Sequence, residues 1–548
     1  MTQTREYDYI IMGGGSAGCA LAARLTEDPS VSVLLMEAGP AKGNLLNNWR
    51  VDMPAAFGST WQFPAFNWMF QGETEPALNN RSIIQPRGRV LGGSSSINGM
   101  CFIRGHALDF ERWVTEGAQG WSWREVLPYF KRLETWQDGE NAWRGGSGPV
   151  HVRKGDLPSP LYEAFLKAGV QAGYPSTDDI NGEHQEGMGH FQMNIKQGVR
   201  SSTAHAYLDP NRSRENLTVD TGVLATKVAV EGNRAAGITI RNARGEIETV
   251  RATREVILSG GAVGSPQTLM LSGIGPADEL RALGIDVTVD LPGVGKNLQD
   301  HPLVYMKWQT KKPVSLGKYM RKDLMLYTGA RWLSTHTGPG ASNNVEAVGW
   351  LRSDPSVRHP DILIQFLPVL LTHDGDVIAD KHGFTYCIGP SRMQGRGSVT
   401  LRSDRADDHP RITSGFLTTD YDLNLMARAI EMGRDIASQP AQQAHGIREV
   451  DPGLQVTSAA EIESYMRDNV AGDFHLVGTC KMGHDADAVV DHTLRVHGIE
   501  SLRIADASVM PSIVNANTNA TSIMIGEKAA DMILGKEPLA PADVPLPG

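Results

Sequence analysis

The chain has 548 residues, of which 41% are hydrophobic and 21% charged, and its formal net charge at pH 7 is -10. This composition is typical of a globular protein with a sizeable core. The acidic balance argues against a nucleic-acid-binding protein, because such a surface needs a basic stripe. Cys19, Cys101, Cys387 and Cys480 are widely separated and form no C-x-x-C pattern. We therefore expect no disulfide framework, no metal site and a reducing compartment.

The sequence shows neither a secretory signal nor an apolar run of about eighteen residues that could span a bilayer. These observations predict a cytoplasmic protein. They leave open a peripheral position at the inner face of the cell membrane.

The N-terminal region carries the first predicted unit. An apolar run over residues 7–12 leads into Gly13, Gly15 and Gly18 in G-x-G-x-x-G spacing, and a second apolar run ends on Glu37. Strand, glycine turn, helix and spaced acid together predict a βαβ unit that binds a dinucleotide. Gly13 permits the tight turn, Gly15 lets a pyrophosphate approach the backbone, and Gly18 lets the helix pack on the strand. Glu37 can accept hydrogen bonds from ribose hydroxyls.

The middle of the chain predicts a small inserted sheet and then a second domain. Short β-branched runs separated by turns predict strands at residues 216–221, 227–230, 236–240 and 254–258, in a small sheet between parts of the nucleotide domain. Helical spacing follows at residues 320–332 and 419–442, with an alternating strand pattern at 397–402 between them. This pattern predicts a sheet-based domain over roughly residues 310–455.

The C-terminal region predicts a return to the nucleotide domain. A strand at residues 502–505 ends on Asp506 and is followed by a loop and a helix at 521–533. A helix N-terminus aimed at a phosphate or a polar ring edge suits a flavin. The proline-rich tail, residues 536–548, is expected to lack regular structure.

Two longer stretches, residues 86–100 and 261–275, resemble the two signatures of the glucose-methanol-choline (GMC) oxidoreductases. With the N-terminal glycine motif and residues 291–301 and 474–533, the likeness covers nearly the whole chain. Residues 98–104, 341–346, 475–483 and 525–532 are most similar to the choline-oxidising members of the family.

The resemblance implies an α/β fold with a Rossmann-like FAD-binding domain and a second, sheet-based α+β substrate domain. The expected FAD-binding domain is discontinuous, with residues 1–155, 200–310 and 455–548, and the substrate domain takes residues 156–199 and 311–454. The expected FAD contacts are Gly13, Gly15, Ser16, Gly18, Glu37, Arg89, Gly93, Asn98, Gly99, Asp506, Ala507 and Asn517. Ile97 stands where some relatives carry a histidine bonded to the flavin, so we expect the FAD to be non-covalent.

The implied reaction is the oxidation of a primary alcohol to an aldehyde. It removes a hydroxyl proton and a carbon-bound hydride, and since a flavin accepts only the hydride, a base is needed. His475 matches the family's active-site histidine. Asn517 matches the second active-site position and could orient the hydroxyl and donate to the developing alkoxide. On the residues alone, His475 could equally be an ordinary hydrogen-bonding histidine and Asn517 a turn residue.

Substrate choice is the least determined point. Glu346 matches the position that pairs with the trimethylammonium group in choline-oxidising relatives, although relatives acting on neutral alcohols also carry a carboxylate there. The aromatic walls expected around such a cation are Trp68, Trp350, Phe366 and Phe474. Leu476 departs from the proline that commonly follows the active-site histidine, which puts the pocket shape in question.

Three hypotheses are therefore open: choline oxidation, oxidation of neutral aliphatic or hydroxy-acid alcohols, and a non-catalytic flavin-binding protein. A nicotinamide enzyme fits less well, because no second dinucleotide fingerprint occurs. A quinone or the respiratory chain is the expected electron acceptor, and the residues do not separate an oxidase from a dehydrogenase.

Overall fold

A computed structural model describes residues 5–42, 47–372 and 375–546. Its helices are α1 (Ser16–Leu25), α2 (Asn48–Asp52), α3 (Gly58–Trp61), α4 (Ala107–Thr115), α5 (Trp123–Leu133), α6 (Pro160–Gln171), α7 (Gly261–Leu271), α8 (Ala277–Ala282), α9 (Lys322–Thr335), α10 (Asp420–Ser438), α11 (Pro440–Gln443), α12 (Ala459–Asn469) and α13 (Asn519–Ile533).

The first strands are β1 (Glu6–Met12), β2 (Val33–Glu37), β3 (Phe70–Gln71), β4 (Ile84–Gln85), β5 (Glu134–Trp136), β6 (Val150–Lys154), β7 (Gly187–His190), β8 (Gln192–Met193), β9 (Ile195–Lys196), β10 (Val199–Arg200), β11 (Leu217–Thr221), β12 (Leu224–Glu231) and β13 (Arg234–Arg241). They are followed by β14 (Ile247–Leu258), β15 (Ile274–Gly275), β16 (Val289–Asp290), β17 (Pro302–Gln309), β18 (Ala347–Leu351), β19 (Ile362–Leu367), β20 (Gly383–Pro390), β21 (Ser398–Thr400), β22 (Arg411–Thr413), β23 (Arg448–Asp451), β24 (Ala471–Gly472) and β25 (Leu502–Ile504).

The first large sheet has the strand order β11-β2-β1-β14-β13-β12, and β25 also pairs with β14. The pairs β1/β2, β2/β11, β1/β14 and β14/β25 are parallel, as a Rossmann-like unit requires. All five residues of β2 are buried, which is expected of a parallel strand covered on both faces. The predicted βαβ unit and the predicted C-terminal strand and helix are therefore confirmed.

One prediction about this sheet is wrong. The strands predicted between residues 216 and 258 do form, but they do not make a separate small sheet. β11 pairs in parallel with β2, and β12, β13 and β14 continue the same sheet as an antiparallel meander. The local strand patterns were sufficient to place the strands, but pairing between strands far apart in sequence leaves no local signal.

The second large sheet has the order β23-β17-β20-β19-β18-β7, and β24 also pairs with β17. One face packs against α6 and α10, which confirms a second, sheet-based unit. The strand predicted at 397–402 forms as β21, but it pairs with β22 in a separate hairpin and not with this sheet. β17 and β24 fall in segments that the expected division gives to the FAD-binding domain. We therefore propose domain boundaries near residues 301 and 473, and the division itself stays a prediction.

The C-terminal helix α13 returns to the first helix, α1. Helix α13 packs along α1, and a Cβ atom added at Gly526 would lie 2.5 Å from the carbonyl oxygen of Ala17, so the two helices touch through their backbones. The tail has no helix or strand between residues 536 and 546, as expected, and its last two residues lie outside the described part of the chain.

All four cysteines are buried and free. Within the described ranges, no group of three or more His, Cys, Asp or Glu side chains is arranged to hold a metal ion. In the same ranges, no helix is both long enough and apolar enough to cross a membrane.

Candidate active site

A cavity of about 960 Å³ runs between the two large sheets. Most of the expected FAD contacts line it, namely Gly13, Gly15, Ser16, Glu37, Gly93, Asn98, Gly99, Asp506, Ala507 and Asn517. Gly18 and Arg89 are not part of this lining. A Cβ atom at Gly18 would lie 2.0 Å from the Gly13 carbonyl oxygen, so its role is close packing, and the Arg89 guanidinium lies over the Trp68 ring.

Two helix N-termini meet at this cavity and suit the pyrophosphate of a dinucleotide. The residues at the helix starts, Gly15 for α1 and Thr518 for α13, make no side-chain cap hydrogen bond, so the first backbone N–H groups are available. The Ser16 hydroxyl donates to Asn519 Oδ1 at 2.7 Å and ties the two helix starts together. Asn519 Nδ2 and Asn517 Oδ1 are buried and have no hydrogen-bond partner among the described residues. These vacant donors and acceptors fit FAD.

The glycine turn and the acid of the first βαβ unit are placed as a dinucleotide site needs them. Gly13 has φ +106°, and a Cβ atom there would lie 2.4 Å from the Ser259 carbonyl oxygen, so a larger residue would be strained and would clash. Glu37 accepts hydrogen bonds from the Gly14 N–H at 3.1 Å and the Gly39 N–H at 2.8 Å. Burial raises the pKa of Glu37 to about 7. A ribose hydroxyl would supply a further donor.

His475 also lines the cavity, three residues after β24. The preceding residue, Phe474, has φ +64°, and Arg87 donates a short hydrogen bond to its carbonyl oxygen. Asp300 Oδ1 accepts from the backbone N–H groups of His475 at 2.6 Å and His301 at 2.8 Å. The backbone on both sides of the imidazole is therefore fixed by buried polar contacts.

A chain of hydrogen bonds sets the tautomer of His475. His301 Nε2 lies 3.0 Å from the Ser391 carbonyl oxygen, and since a carbonyl only accepts, this nitrogen carries the proton. In neutral His301, Nδ1 is then bare. It lies 2.9 Å from His475 Nδ1, which must donate. The remaining nitrogen, His475 Nε2, therefore carries no proton and accepts a hydrogen bond from Asn517 Nδ2 at 3.0 Å.

The surroundings keep both imidazoles neutral. Burial lowers the pKa of His301 to about 4, and burial together with His301 and Arg87 lowers the pKa of His475 well below its ordinary 6.5. Asp473 Oδ2 lies 3.5 Å from His475 Nδ1 and accepts from Gln365 Nε2 at 2.6 Å. Burial and the nearby Asp300 carboxylate raise the pKa of Asp473 well above its ordinary range, which favours the uncharged form of this acid.

The structure brings only two of the expected substrate residues to the cavity, Trp68 and Phe474. Glu346 is fully buried outside it: its carboxylate accepts from the Leu157 N–H at 2.6 Å and from the Ser342 hydroxyl. The expectation that Glu346 faces a cationic substrate does not agree with this placement, because both of its oxygens are engaged in holding two loops together.

Trp350 and Phe366 are also buried away from the cavity. The Trp350 indole N–H donates to Asn515 Oδ1 at 2.8 Å. Phe366 packs on Phe165 with ring centroids 4.7 Å apart, on the helix-covered face of the second sheet. Side chains alternate along β19, so Phe366 faces the helices while its neighbours Gln365 and Leu367 face the cavity.

Several residues that line or support the site were not identified from the sequence. The second sheet supplies Leu303, Tyr305, Gln365, Leu367 and Cys387 to the cavity wall. Asp300 and His301 stood at the end of a family-like stretch, but nothing in that stretch says that the ring of His301 reaches His475. The sequence signal that could have indicated these residues is an acid followed by a histidine directly before the buried strand β17.

Comparison with known proteins agrees with this geometry. A family model described as GMC oxidoreductase matches residues 7–303, and its C-terminal counterpart matches residues 394–526. The chain is 45% identical over 538 residues to the oxygen-dependent choline dehydrogenase of Brucella ovis, covering 98% of this chain and 97% of that one. It is 46% identical over 537 residues to the Rhizobium etli protein of the same description, with the same coverage.

Solved structures show the same fold. Pyridoxine 4-oxidase from Mesorbium loti superposes with a TM-score of 0.88 at 32% identity, covering 97% of this chain and 100% of that one. An Aspergillus oryzae formate oxidase, studied for modification of its FAD, gives a TM-score of 0.90 at 28% identity, with 98% and 99% covered. The chain therefore belongs to the GMC oxidoreductase family and is an FAD-dependent enzyme that oxidises alcohols.

Proposed function

We propose that the enzyme oxidises a primary alcohol to the aldehyde with His475 as the general base. The observation that carries this proposal is the hydrogen-bond chain from the Ser391 carbonyl through His301 to His475, which leaves Nε2 of a neutral imidazole unprotonated beside Asn517 in the cavity lining. A positioned base of this kind is worth about 10²- to 10⁴-fold in rate, or roughly 3 to 5 kcal/mol of barrier.

The substrate hydroxyl would lie between His475 and Asn517. The hydroxyl would displace the Asn517 amide from His475 Nε2, which would then take the hydroxyl proton, and the released Asn517 N–H would donate to the oxygen as negative charge develops. FAD, when bound, supplies the acceptor for the hydride that leaves the alcohol carbon. Proton and hydride together account for the two hydrogens that separate an alcohol from its aldehyde. The FAD is proposed to be non-covalent, because Ile97 has no nucleophilic atom.

Choline is the first candidate substrate, with betaine aldehyde as its product. The support comes from the two relatives described as choline dehydrogenases, which match over nearly their whole length. The cavity offers aromatic surface beside the base: the rings of Trp61 and Phe474 meet edge-on with centroids 5.4 Å apart, and both line the cavity. Aromatic faces attract a quaternary ammonium group, by about 0.5 to 2 kcal/mol per contact.

A neutral aliphatic alcohol is the second candidate, and the site geometry favours it. Glu346 is enclosed away from the cavity, and burial raises the pKa of Asp473, the acid 3.5 Å from His475 Nδ1, well above its ordinary range. Apolar side chains of Leu303, Leu367 and Val369 line the adjoining wall. Contact with such a wall stabilises a bound hydrocarbon chain more than a bound cation, because the cation must give up its hydration.

Anaerobic bleaching of the flavin absorbance separates these candidates. Choline and its uncharged isostere 3,3-dimethylbutan-1-ol would be added separately at matched concentrations. Faster bleaching at lower concentration by choline supports the first candidate, whereas an equal or reversed preference supports the second. His475→Gln, with its flavin content checked, is the matched control and should bleach at least about a hundredfold more slowly. No bleaching by any alcohol of a broad panel would favour a non-catalytic flavin-binding protein and overturn the proposal.

We also propose a quinone or the respiratory chain as electron acceptor, with the enzyme in the cytoplasm and peripheral at the inner face of the cell membrane. The description of the relatives as oxygen-dependent makes oxygen the competing acceptor. Turnover in air with one peroxide formed per aldehyde would refute the quinone proposal. Faster turnover with a soluble quinone than with air, and little peroxide, would support it.

A further inference from the structure

Helix α9 and the turn before it expose an unusual amount of apolar surface. Leu326 is 75% exposed, Leu333 67%, Tyr327 54%, Met325 49% and Met320 45%. Within α9 only Thr328 and Trp332 are buried. A surface helix normally turns its apolar stripe to the core, so this helix shows an apolar face that nothing in the described chain covers. Leu326 and Leu333 are seven residues apart and therefore lie on the same stripe.

The same segment is strongly basic in an acidic protein. Residues 311–335 contain six lysines and arginines, at 311, 312, 318, 321, 322 and 331, against the single acid Asp323. The neighbouring residues 375–382 add Asp376, Asp380 and Lys381. The segment thus remains clearly positive while the whole chain carries a net charge of -10. Apolar side chains within a basic segment match an anionic lipid surface.

This face also forms one mouth of the active-site cavity. Met320, Met325 and Thr328 line the cavity that contains His475, and the two methionines are at the same time half-exposed. Leu316 and Tyr319 continue the cavity wall inward from this opening. The exposed apolar side chains and the cavity lining are therefore continuous at this point.

We propose that this surface, defined by Met320, Met325, Leu326, Tyr327 and Leu333, docks on an anionic lipid bilayer, with α9 lying in the interface. A second copy of the chain is a poorer occupant, because a two-fold interface would place basic segments against each other. The bilayer supplies the negative charge and the apolar layer that the surface needs, and it places the cavity mouth where an apolar alcohol or a lipid-soluble acceptor is concentrated. This surface would hold the enzyme in the peripheral membrane position proposed above, whichever alcohol the enzyme oxidises.

The test is flotation of the holoenzyme with phosphatidylcholine vesicles, with and without phosphatidylglycerol. We expect binding to the phosphatidylglycerol vesicles that weakens with added salt, and weaker binding to phosphatidylcholine alone. In the double variant Leu326→Glu/Leu333→Glu the partition coefficient should fall by about tenfold or more, because two apolar contacts are lost and two negative charges face the lipid.

A matched control is available elsewhere in the chain. Ile247 is 63% exposed and Leu454 73%, so Ile247→Glu/Leu454→Glu makes the same change in charge and exposed apolar area away from α9. This control should bind vesicles like the wild type. Both double variants should oxidise alcohol with a water-soluble acceptor at the wild-type rate. This activity assay distinguishes loss of vesicle binding from misfolding and from a failure of the proposed chemistry.

Three results would overturn the inference. The first is absence of wild-type binding to either type of vesicle, and the second is equal loss of binding in both double variants. The third is a wild-type dimer in sedimentation that dissociates only in Leu326→Glu/Leu333→Glu, which would make this face an interface between copies of the chain.

Discussion

Two histidine rings that share one proton decide which nitrogen faces the reacting alcohol. The Ser391 carbonyl fixes the proton of His301 on Nε2, and His301 in turn holds the proton of His475 on Nδ1. His301 itself does not touch the proposed position of the hydroxyl, so it acts as a positioning residue. The arrangement resembles the use of a buried partner to set the tautomer of a catalytic imidazole in hydrolases.

The first prediction concerns the pH dependence of this pair. Because only neutral His475 accepts a proton and its pKa lies well below 6.5, kcat/KM should stay constant as the pH falls from 8 past 6.5. His301→Asn removes one cause of the lowered pKa, so the pKa of His475 should rise and activity should be lost at a higher pH than in the wild type. We also expect kcat to fall about ten- to a hundredfold with little change in KM, as is common when an orienting partner is removed.

The control for this prediction is His359→Asn, which changes another buried histidine. His359 stacks on His106 with ring centroids 4.8 Å apart and does not line the cavity. Its replacement should not change the pH below which kcat/KM falls. If His301→Asn also leaves that pH unchanged, His301 contributes only packing.

The second prediction concerns how the flavin is held. Ile97 lines the cavity and is 2% exposed, and its hydrocarbon side chain cannot form a bond to the flavin. Precipitation of the holoenzyme with acid should therefore release all of the yellow chromophore into the supernatant, measured by its absorbance. Flavin that stays with the washed precipitate would contradict the expectation.

At the scale of elements, a single buried carboxylate joins four parts of the chain that are far apart in sequence. Glu527 of α13 accepts from Arg24 of α1 at 2.9 Å and from Arg132 of α5 at 2.7 Å. The Tyr207 hydroxyl, from the short helical turn 204–208, donates to the other oxygen at 2.6 Å. The network holds α1 and α13 side by side, and these are the helices whose N-termini meet at the cavity.

The third prediction follows from that network. Glu527→Gln removes the counter-charge that two partly buried guanidinium groups share, although Glu27 still pairs with Arg24 and Asp531 with Arg132. We therefore expect a loss of roughly 1 to 3 kcal/mol of stability. The readout is the midpoint of thermal unfolding of the holoenzyme by circular dichroism. Glu431→Gln is the matched control, because Glu431 pairs with Arg428 at 3.2 Å on the exposed surface, where a pair is worth less than about 1 kcal/mol. Equal shifts in both variants would refute the special role of Glu527.

At the scale of the molecule, the sequence predicted what local patterns encode. The first βαβ unit was predicted with its strand limits nearly as observed, because glycine spacing and apolar runs are local. The assignment of residues 217–258 to a separate sheet was wrong, because the pairing of β11 with β2 joins residues almost two hundred positions apart. Phe366 was expected in the cavity, and it lies on the opposite face of β19. Almost every residue of this strand is buried, so its sequence does not indicate which face points to the cavity.

The last prediction concerns the stability that bound FAD adds to the folded chain. The cavity is lined by segments from Met12 to Ser522, including both large sheets and the N-termini of α1 and α13. A ligand that touches all of them binds the folded chain only, so FAD at about a hundred times its Kd should add ~2.7 kcal/mol to the free energy of unfolding. FMN lacks the adenosine and the second phosphate that the glycine turn, Glu37 and the helix starts are expected to hold, so it should raise the unfolding temperature of apoprotein far less. Calorimetry of apoprotein with each flavin measures this, and equal stabilisation would show that the βαβ end of the cavity contributes nothing to binding.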